Sequence, residues 1–269
     1  MFELDPHGSY MMPAHFGPRP VSPKSSGWYH DVTSVTLGFV TDAEKLARYL
    51  PAPYRVAEEP VVTITYASNR QVDWLAGHGY NLLAVNAAAV FEGEEDSLAG
   101  SYTLVIWENL TDPILTGREL QGIPKVYADI EDHQVTEGNW RTSASHFGHR
   151  FFDLQVSDLR APTEEEILAD AAAREGTDNP MAWRFMPAVG GFGGVMNEPT
   201  TYPSENVIRE AWAGEGRADW HRATWEQNPT QCHIINALAE LPVLGWLPAL
   251  VARGSTNLLV PDRLPRVIR

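Results

Sequence analysis

The expected fold is α+β, with antiparallel strands forming a barrel or curved sheets and a few helices beside them. Three observations carry that expectation. Several runs are rich in β-branched and aromatic residues and are bounded by turn formers. Few segments have the start and stop signals of a helix. Strand-like and helix-like segments do not alternate, which argues against a doubly wound nucleotide-binding sheet.

The first 27 residues are rich in Pro, Gly and Ser and read as an irregular arm across a surface. Thr41-Asp42 ahead of "AEKLARYLP" supplies an N-cap, leucines at helical spacing and a proline stop. Strands are expected at "PVVTITYAS" (60–68), "NLLAVNAAAVFE" (81–92) and "AGSYTLVIWEN" (99–109). "GIPKVYADIEDHQV" (122–135), "WRTSASHFGHRFFDLQVSDL" (140–159) and "SENVIREAWAGEGRADW" (204–220) read the same way. "APTEEEILADAAAREG" (161–176) reads as a helix, with Pro at its start, acids in its first turn and Gly at its end. The C-terminal third mixes short apolar segments with turns.

Composition removes several function classes. The chain has 269 residues and is 43% hydrophobic with 9 Trp, enough for a sizeable core. Its formal charge of −15 and the lack of clustered Lys and Arg argue against nucleic-acid binding. No apolar run reaches the roughly 18 residues of a membrane span; the longest candidate, residues 235–252, holds Glu240 and two prolines. "MFELDPHGSYMMP" has no basic n-region, so no secretory signal is expected, and a cytoplasmic location is. Cys232 stands alone, which excludes an internal disulfide and a Cys-rich metal site.

Most candidate sites are weak. "GGFGG" (190–194) lacks the dinucleotide spacing and reads as a turn. "HFGH" (146–149) on one strand would put its two histidines on opposite faces, poor for joint metal ligation, and no metal is expected. Cys232 reads as a buried small hydrophobe rather than a nucleophile. Lys125 is different. Of 20 basic residues 17 are arginine, and the other lysines, Lys24 and Lys45, sit in polar surroundings. Lys125 lies between Ile123-Pro124 and Val126-Tyr127. Arginine never becomes a free amine in water, whereas lysine can. Two readings stay open on the residues alone: a reactive amine in a dry pocket, or a lysine whose stem is buried while its amine reaches water. Glu119 is near enough in sequence to pair with Lys125 or Arg118.

"GRELQGIPKVYADI" (117–130) resembles the signature of the acetoacetate decarboxylase family, a Gly-Arg-Glu segment followed by an apolar residue, Pro and a Schiff-base lysine. "FVTDAEKLARYLPAPYRV" (39–56) is similar to that family's early helix and Pro-x-Pro turn, and "VIREAWAGEGRADW" (207–220) to its later strand. The resemblance implies a single domain over 1–269, with 1–27 its arm, and a cone-shaped antiparallel β-barrel or curved sheets with a few flanking helices. It also implies a homo-oligomer (dimer, tetramer or larger), no cofactor, and a small keto acid or ketone as substrate. Lys125 would form the Schiff base, since a desolvated lysine can act as a nucleophile in this way, with acetoacetate decarboxylase the usual example.

The chain departs from the family pattern where the substrate would sit. Val126 replaces a second lysine, no arginine falls between Arg19 and Arg48, and Asp73 is the sole acid between Glu59 and Glu92. The family's carboxylate-handling set is therefore expected to be missing, which favours aldol, retro-aldol or dehydration chemistry on a pyruvate-like keto acid. Gln121, four residues before the lysine, would hydrogen-bond a substrate carboxylate or hydroxyl, and Tyr80 would donate a proton. Arg118 and Glu119 are candidate substrate-binding residues, with a scaffold role as the alternative. The rival functions are a true β-keto acid decarboxylase with a rebuilt pocket, and a non-catalytic barrel that binds an apolar ligand.

Overall fold

The computed structural model describes residues 3–20, 22–167, 179–260 and 262–269. After the arm, which contains one short helical turn at Ala14–Phe16, come β1 (Trp28–Val40), β2 (Tyr54–Val56), β3 (Val61–Val72), β4 (Tyr80–Glu92) and β5 (Ser97–Glu108). Then follow β6 (Lys125–Tyr127), β7 (Asp129–Ile130), β8 (Gln134–Thr136), β9 (Asn139–His146) and β10 (His149–Arg160). The chain finishes with β11 (Pro180–Pro187), β12 (Gly194–Thr201), β13 (Glu205–Trp220), β14 (Gly245–Trp246), β15 (Ala249–Asn257) and β16 (Arg266–Val267). Among the described residues these strands make one sheet in the order β16-β12-β11-β5-β4-β3-β1-β15-β13-β10-β9-β7, with β2, β6, β8 and β14 attached to β4, β5, β9 and β1. The α+β expectation holds as a curved, open, mainly antiparallel sheet. Parallel pairing occurs where β5 meets β6 and β11.

Alternation along the strands builds the core. Val35, Leu37 and Phe39 of β1 and Val62, Ile64 and Tyr66 of β3 turn to one side. There they meet Phe152, Leu154 and Val156 of β10 and Ile235 and Leu238 of the helix Cys232–Leu238, so the sheet wraps round a single large cluster. Leu37 is wholly buried, and truncating such a leucine to alanine costs about 2–5 kcal/mol. Trp107 of β5 points into this core, and its indole N–H donates to Gln231 at 2.7 Å. The Gln231 amide in turn donates to the Tyr127 carbonyl at 2.8 Å. These two bonds pin the helix start to β5 and β6, the strands that carry the candidate site.

The helix at Ala43–Ala47 starts as expected, with the Asp42 carboxylate accepting from the Lys45 N–H at 2.9 Å. Of the helix expected over 161–176, residues 164–167 are helical and 168–176 lie outside the described residues. Three readings need correction. The run 140–159 is two strands, because Phe147 and Gly148 take left-handed conformations (φ 52° and 76°) and close a tight hairpin. His146 and His149 therefore stand directly opposite one another, not on opposite faces of one strand. The run 122–135 breaks into three strands, since β6 lies along β5 while β7 and β8 turn to pair with β9. The mixed C-terminal third holds the long β15, which fills the place between β1 and β13. Residues 190–194 do form a turn, with Gly190, Gly191 and Gly193 at positive φ between β11 and β12. No helix among the described residues is long and apolar enough to cross a membrane.

Candidate active site

Local chemistry delivers Lys125 to its place. Thr111–Thr116 is a short helix, continued by a widened turn over Gly117–Gln121. Gly122 ends the turn at φ 75°, where an added Cβ would also stand 2.5 Å from Arg184 Cβ, so glycine is required there on two counts. Pro124 disfavours helix at Ile123 and sends the chain out extended, and Lys125 opens β6 opposite Ile106 of β5. The turn leaves space for the lysine. A Cβ at Gly117 would lie 2.5 Å from Lys125 Cε and 3.0 Å from its Nζ.

The amine meets a carboxylate. Lys125 Nζ donates to Glu108 Oε1 at 2.7 Å and to the Pro113 carbonyl at 3.2 Å. The Lys125 side chain is 8% exposed and that of Glu108 0%. Glu108 Oε2 is buried without a hydrogen-bond partner. Burial pushes the Glu108 carboxyl above its ordinary range, and the neighbouring Lys125 charge only partly offsets this. A carboxyl so placed takes up a proton more readily than one in water.

Lys125 lines a cavity of about 470 Å³, together with Arg19 of the arm, Tyr29 of β1, Trp74, Gln121 and Leu258. Arg19 Nη1 donates to the Thr116 hydroxyl at 3.2 Å, and its guanidinium lies 5.8 Å from the centre of the Trp74 ring. The Trp74 indole donates to the Tyr29 hydroxyl at 2.9 Å, and that hydroxyl shares a 3.2 Å hydrogen bond with Tyr80. Burial pushes the Tyr29 phenol up to about 12, against the pull of those hydrogen bonds. Tyr80 is raised well above the usual phenol range, first by burial and then by the Tyr29 and Glu108 charges.

Among the residues singled out from sequence, Gln121 and Lys125 share this cavity. Tyr80 lies behind Tyr29 and reaches it through the hydroxyl bond. Arg118 and Glu119 are not among its lining residues. The Arg118 guanidinium is spent on the Lys125 carbonyl at 2.9 Å, and Glu119 accepts the Met12 N–H at 3.3 Å, tying the arm to the turn. Cys232 is half-buried rather than buried. A carboxylate and a guanidinium nonetheless come near Lys125 from other positions, Glu108 from β5 and Arg19 from the arm. Sequence reasoning missed both, along with Tyr29 and Trp74. An acid closing the apolar run "LVIWE" was the one available signal.

Comparison with known proteins identifies the family and the fold. The family model described as acetoacetate decarboxylase matches residues 11–259. The chain is 26% identical over 231 residues to an acetoacetate decarboxylase of Burkholderia vietnamiensis, covering 84% of this chain and 82% of that one. The crystal structure of acetoacetate decarboxylase from Legionella pneumophila superposes with a TM-score of 0.70 at 16% identity, covering 94% of this chain and 92% of that one. The enduracididine biosynthesis enzyme MppR, solved with the condensation product of pyruvate and imidazole 4-carboxaldehyde, gives 0.69 at 12% identity, covering 99% and 97%. At such identities the two structures share the fold.

Proposed function

This chain belongs to the acetoacetate decarboxylase family, and from that premise we propose that it is a cofactor-independent lyase that forms a Schiff base between Lys125 and a keto acid. The observation that carries the reading is the buried Lys125–Glu108 contact at 2.7 Å on the wall of a cavity. In this reading the Arg19 guanidinium and the Gln121 amide hold the substrate carboxylate. Lys125 passes one proton to Glu108, and its free amine attacks the keto carbon. The nitrogen's next proton moves to the former carbonyl oxygen. Glu108 then returns its proton to that hydroxyl, which leaves as water, and an iminium remains.

The iminium is an electron sink. Removal of an α-proton by Glu108 gives an enamine, which can attack an aldehyde carbon. Tyr29, held protonated by burial, donates to the new alkoxide, and Tyr80 stands next in line to replace that proton. The proton taken by Glu108 restores the Tyr29–Tyr80 pair. Glu108 then takes the second α-proton and passes it to the new hydroxyl, which leaves as water to complete a dehydration, and a further water hydrolyses the iminium to free Lys125. Aldol and dehydration chemistry both need proton-transfer groups around the amine, and the positions of Glu108, Tyr29 and Tyr80 support this reading. A homo-oligomer belongs to the same reading and is checked by sedimentation.

Borohydride reduction in the presence of pyruvate or another keto acid should add the substrate's mass at Lys125, and Lys125→Ala should abolish both adduct and turnover. No adduct across a broad keto-acid panel, with undiminished activity in Lys125→Ala, rejects the proposal. Ligand binding that tolerates Lys125→Arg, without turnover, would instead mark a carrier. The relative at 26% identity favours a second reading, decarboxylation of a β-keto acid. Release of CO₂ from acetoacetate and longer homologues, measured beside aldol product, separates the two.

A further inference from the structure

Strand register lays a trough across the face of the sheet that bears Glu108. Glu108 of β5 stands opposite Leu82 of β4, Leu82 opposite Ala67 of β3, and Ala67 opposite Ser34 of β1. Ser34 in turn stands opposite Ala252 of β15. Residues directly opposite on antiparallel strands share a face, so one row runs from Glu108 past Leu82 and on over the small side chains of Ala67, Ser34 and Ala252. Three interstrand steps separate Glu108 from Ser34, roughly 14 Å at the usual strand spacing. One parallel row, Tyr80–Asn69–Val32, borders the floor, and another, Thr65–Thr36–Leu250, borders its other side.

Two further observations give the trough a ligand. It opens as a cavity of about 300 Å³ that shares Tyr29 and Leu258 with the lysine cavity, so those two side chains are all that the cavities have in common as a wall. Asn69 lines it, is 5% exposed, and has a buried amide nitrogen without a hydrogen-bond partner. A buried N–H₂ without an acceptor is costly unless a ligand supplies one. A three-carbon keto acid would fill a small part of the combined space.

We infer that the trough is a substrate subsite, and that the keto acid bonded at Lys125 continues beyond its reacting carbonyl as an extended, largely apolar chain whose distal carbonyl, ether or hydroxyl oxygen accepts from Asn69. The inference rests on the Schiff-base reading and names the substrate class for the same site.

The test is borohydride trapping at Lys125 with straight-chain 2-keto acids of increasing length, read by intact mass. Half-saturation should improve about twofold to fourfold per methylene over the first several carbons. Ser34→Leu, a half-exposed position, should cut the long-chain-to-pyruvate ratio at least tenfold. Asn69→Leu should remove the advantage of a homologue carrying a distal oxygen over its all-methylene counterpart. A flat chain-length series, or an equal loss for pyruvate and long acids in Ser34→Leu, overturns the inference. If no keto acid is trapped, the Schiff-base reading fails, and thermal shift with long-chain ketones decides the trough separately. Stabilisation that Ser34→Leu removes supports the subsite, and no stabilisation overturns it. A change of sedimenting mass in Ser34→Leu marks the face as a contact between copies and overturns it too.

Discussion

The Lys125 side chain lies across the bare Cα of Gly117, where an added methyl would sit 2.5 Å from Cε and 2.6 Å from Cδ. Gly117 has φ −65° and ψ −41°, a conformation alanine adopts without strain. In a helical setting alanine is even favoured, by about 1 kcal/mol. Gly117→Ala is therefore a probe of the lysine alone. It should displace the amine from Glu108, lowering the rate of keto-acid trapping by about 100-fold, and the melting temperature should fall near neutral pH because the buried carboxylate loses its partner. Full trapping activity in Gly117→Ala would mean that the amine works from another position.

Glu108→Gln keeps the shape of the site and removes its proton acceptor. Trapping by borohydride should slow by about 10²–10⁴-fold, the range for a general acid–base. Gln121→Ala should instead weaken substrate binding. Comparing kcat with KM in the two variants distinguishes proton transfer from binding.

Removing the lysine should give a pH-dependent loss of stability. In Lys125→Met the Glu108 carboxyl keeps its burial and loses the charge that partly offset it, so its folded pKa rises further above the unfolded value. A carboxyl with a raised folded pKa binds more protons when native. Stability should then fall as pH climbs from about 4.5 towards the raised value, and stay flat below it. Thermal melts from pH 4 to 8 should show that slope in Lys125→Met and not in the double variant with Glu108→Gln.

Arg19 should govern affinity for the charged end of the substrate. Arg19→Gln is expected to raise KM for a keto acid at least tenfold, while leaving trapping of an uncharged ketone nearly unchanged. An equal effect on both ligands would make Arg19 a strut of the arm.

Asp96 closes the sheet edge with a two-pronged contact to Arg266 at 2.6 and 2.9 Å, and it accepts the Arg269 N–H at 2.9 Å. Those partners pull its carboxyl down to about 2. A depressed folded pKa contributes stability above the unfolded value near 3.8, lost as pH falls towards 2. Asp96→Asn should lower the melting temperature by a few degrees at neutral pH, about 1 kcal/mol or less. The gap from the parent should close between pH 4 and 2.

Much of the frame was legible because it is written in local patterns. The strands between residues 61 and 108, the capped helix after Asp42 and the turn at 190–194 each carry their signals within a few neighbouring residues. The hairpin at Phe147-Gly148 escaped notice because phenylalanine rarely takes a left-handed conformation. β15 escaped because "ALVARGSTN" mixes small and polar residues, and only its partners β1 and β13 make it a strand.

The candidate site divides in the same way. A lone lysine among apolar neighbours, preceded by a proline and a turn glycine, marks its own importance, since backbone geometry and desolvation act on the residues beside it. Nothing in "LVIWEN" says which lysine its acid will meet, and nothing in "GPRP" says that its guanidinium will enter a cavity. Glu108 reaches Lys125 because β5 and β6 lie parallel in one register, and Arg19 reaches the lysine cavity because the arm folds over Thr116 and Trp74. Electrostatic partnership depends on distance through space, and that distance exists only once strands far apart in the chain have paired.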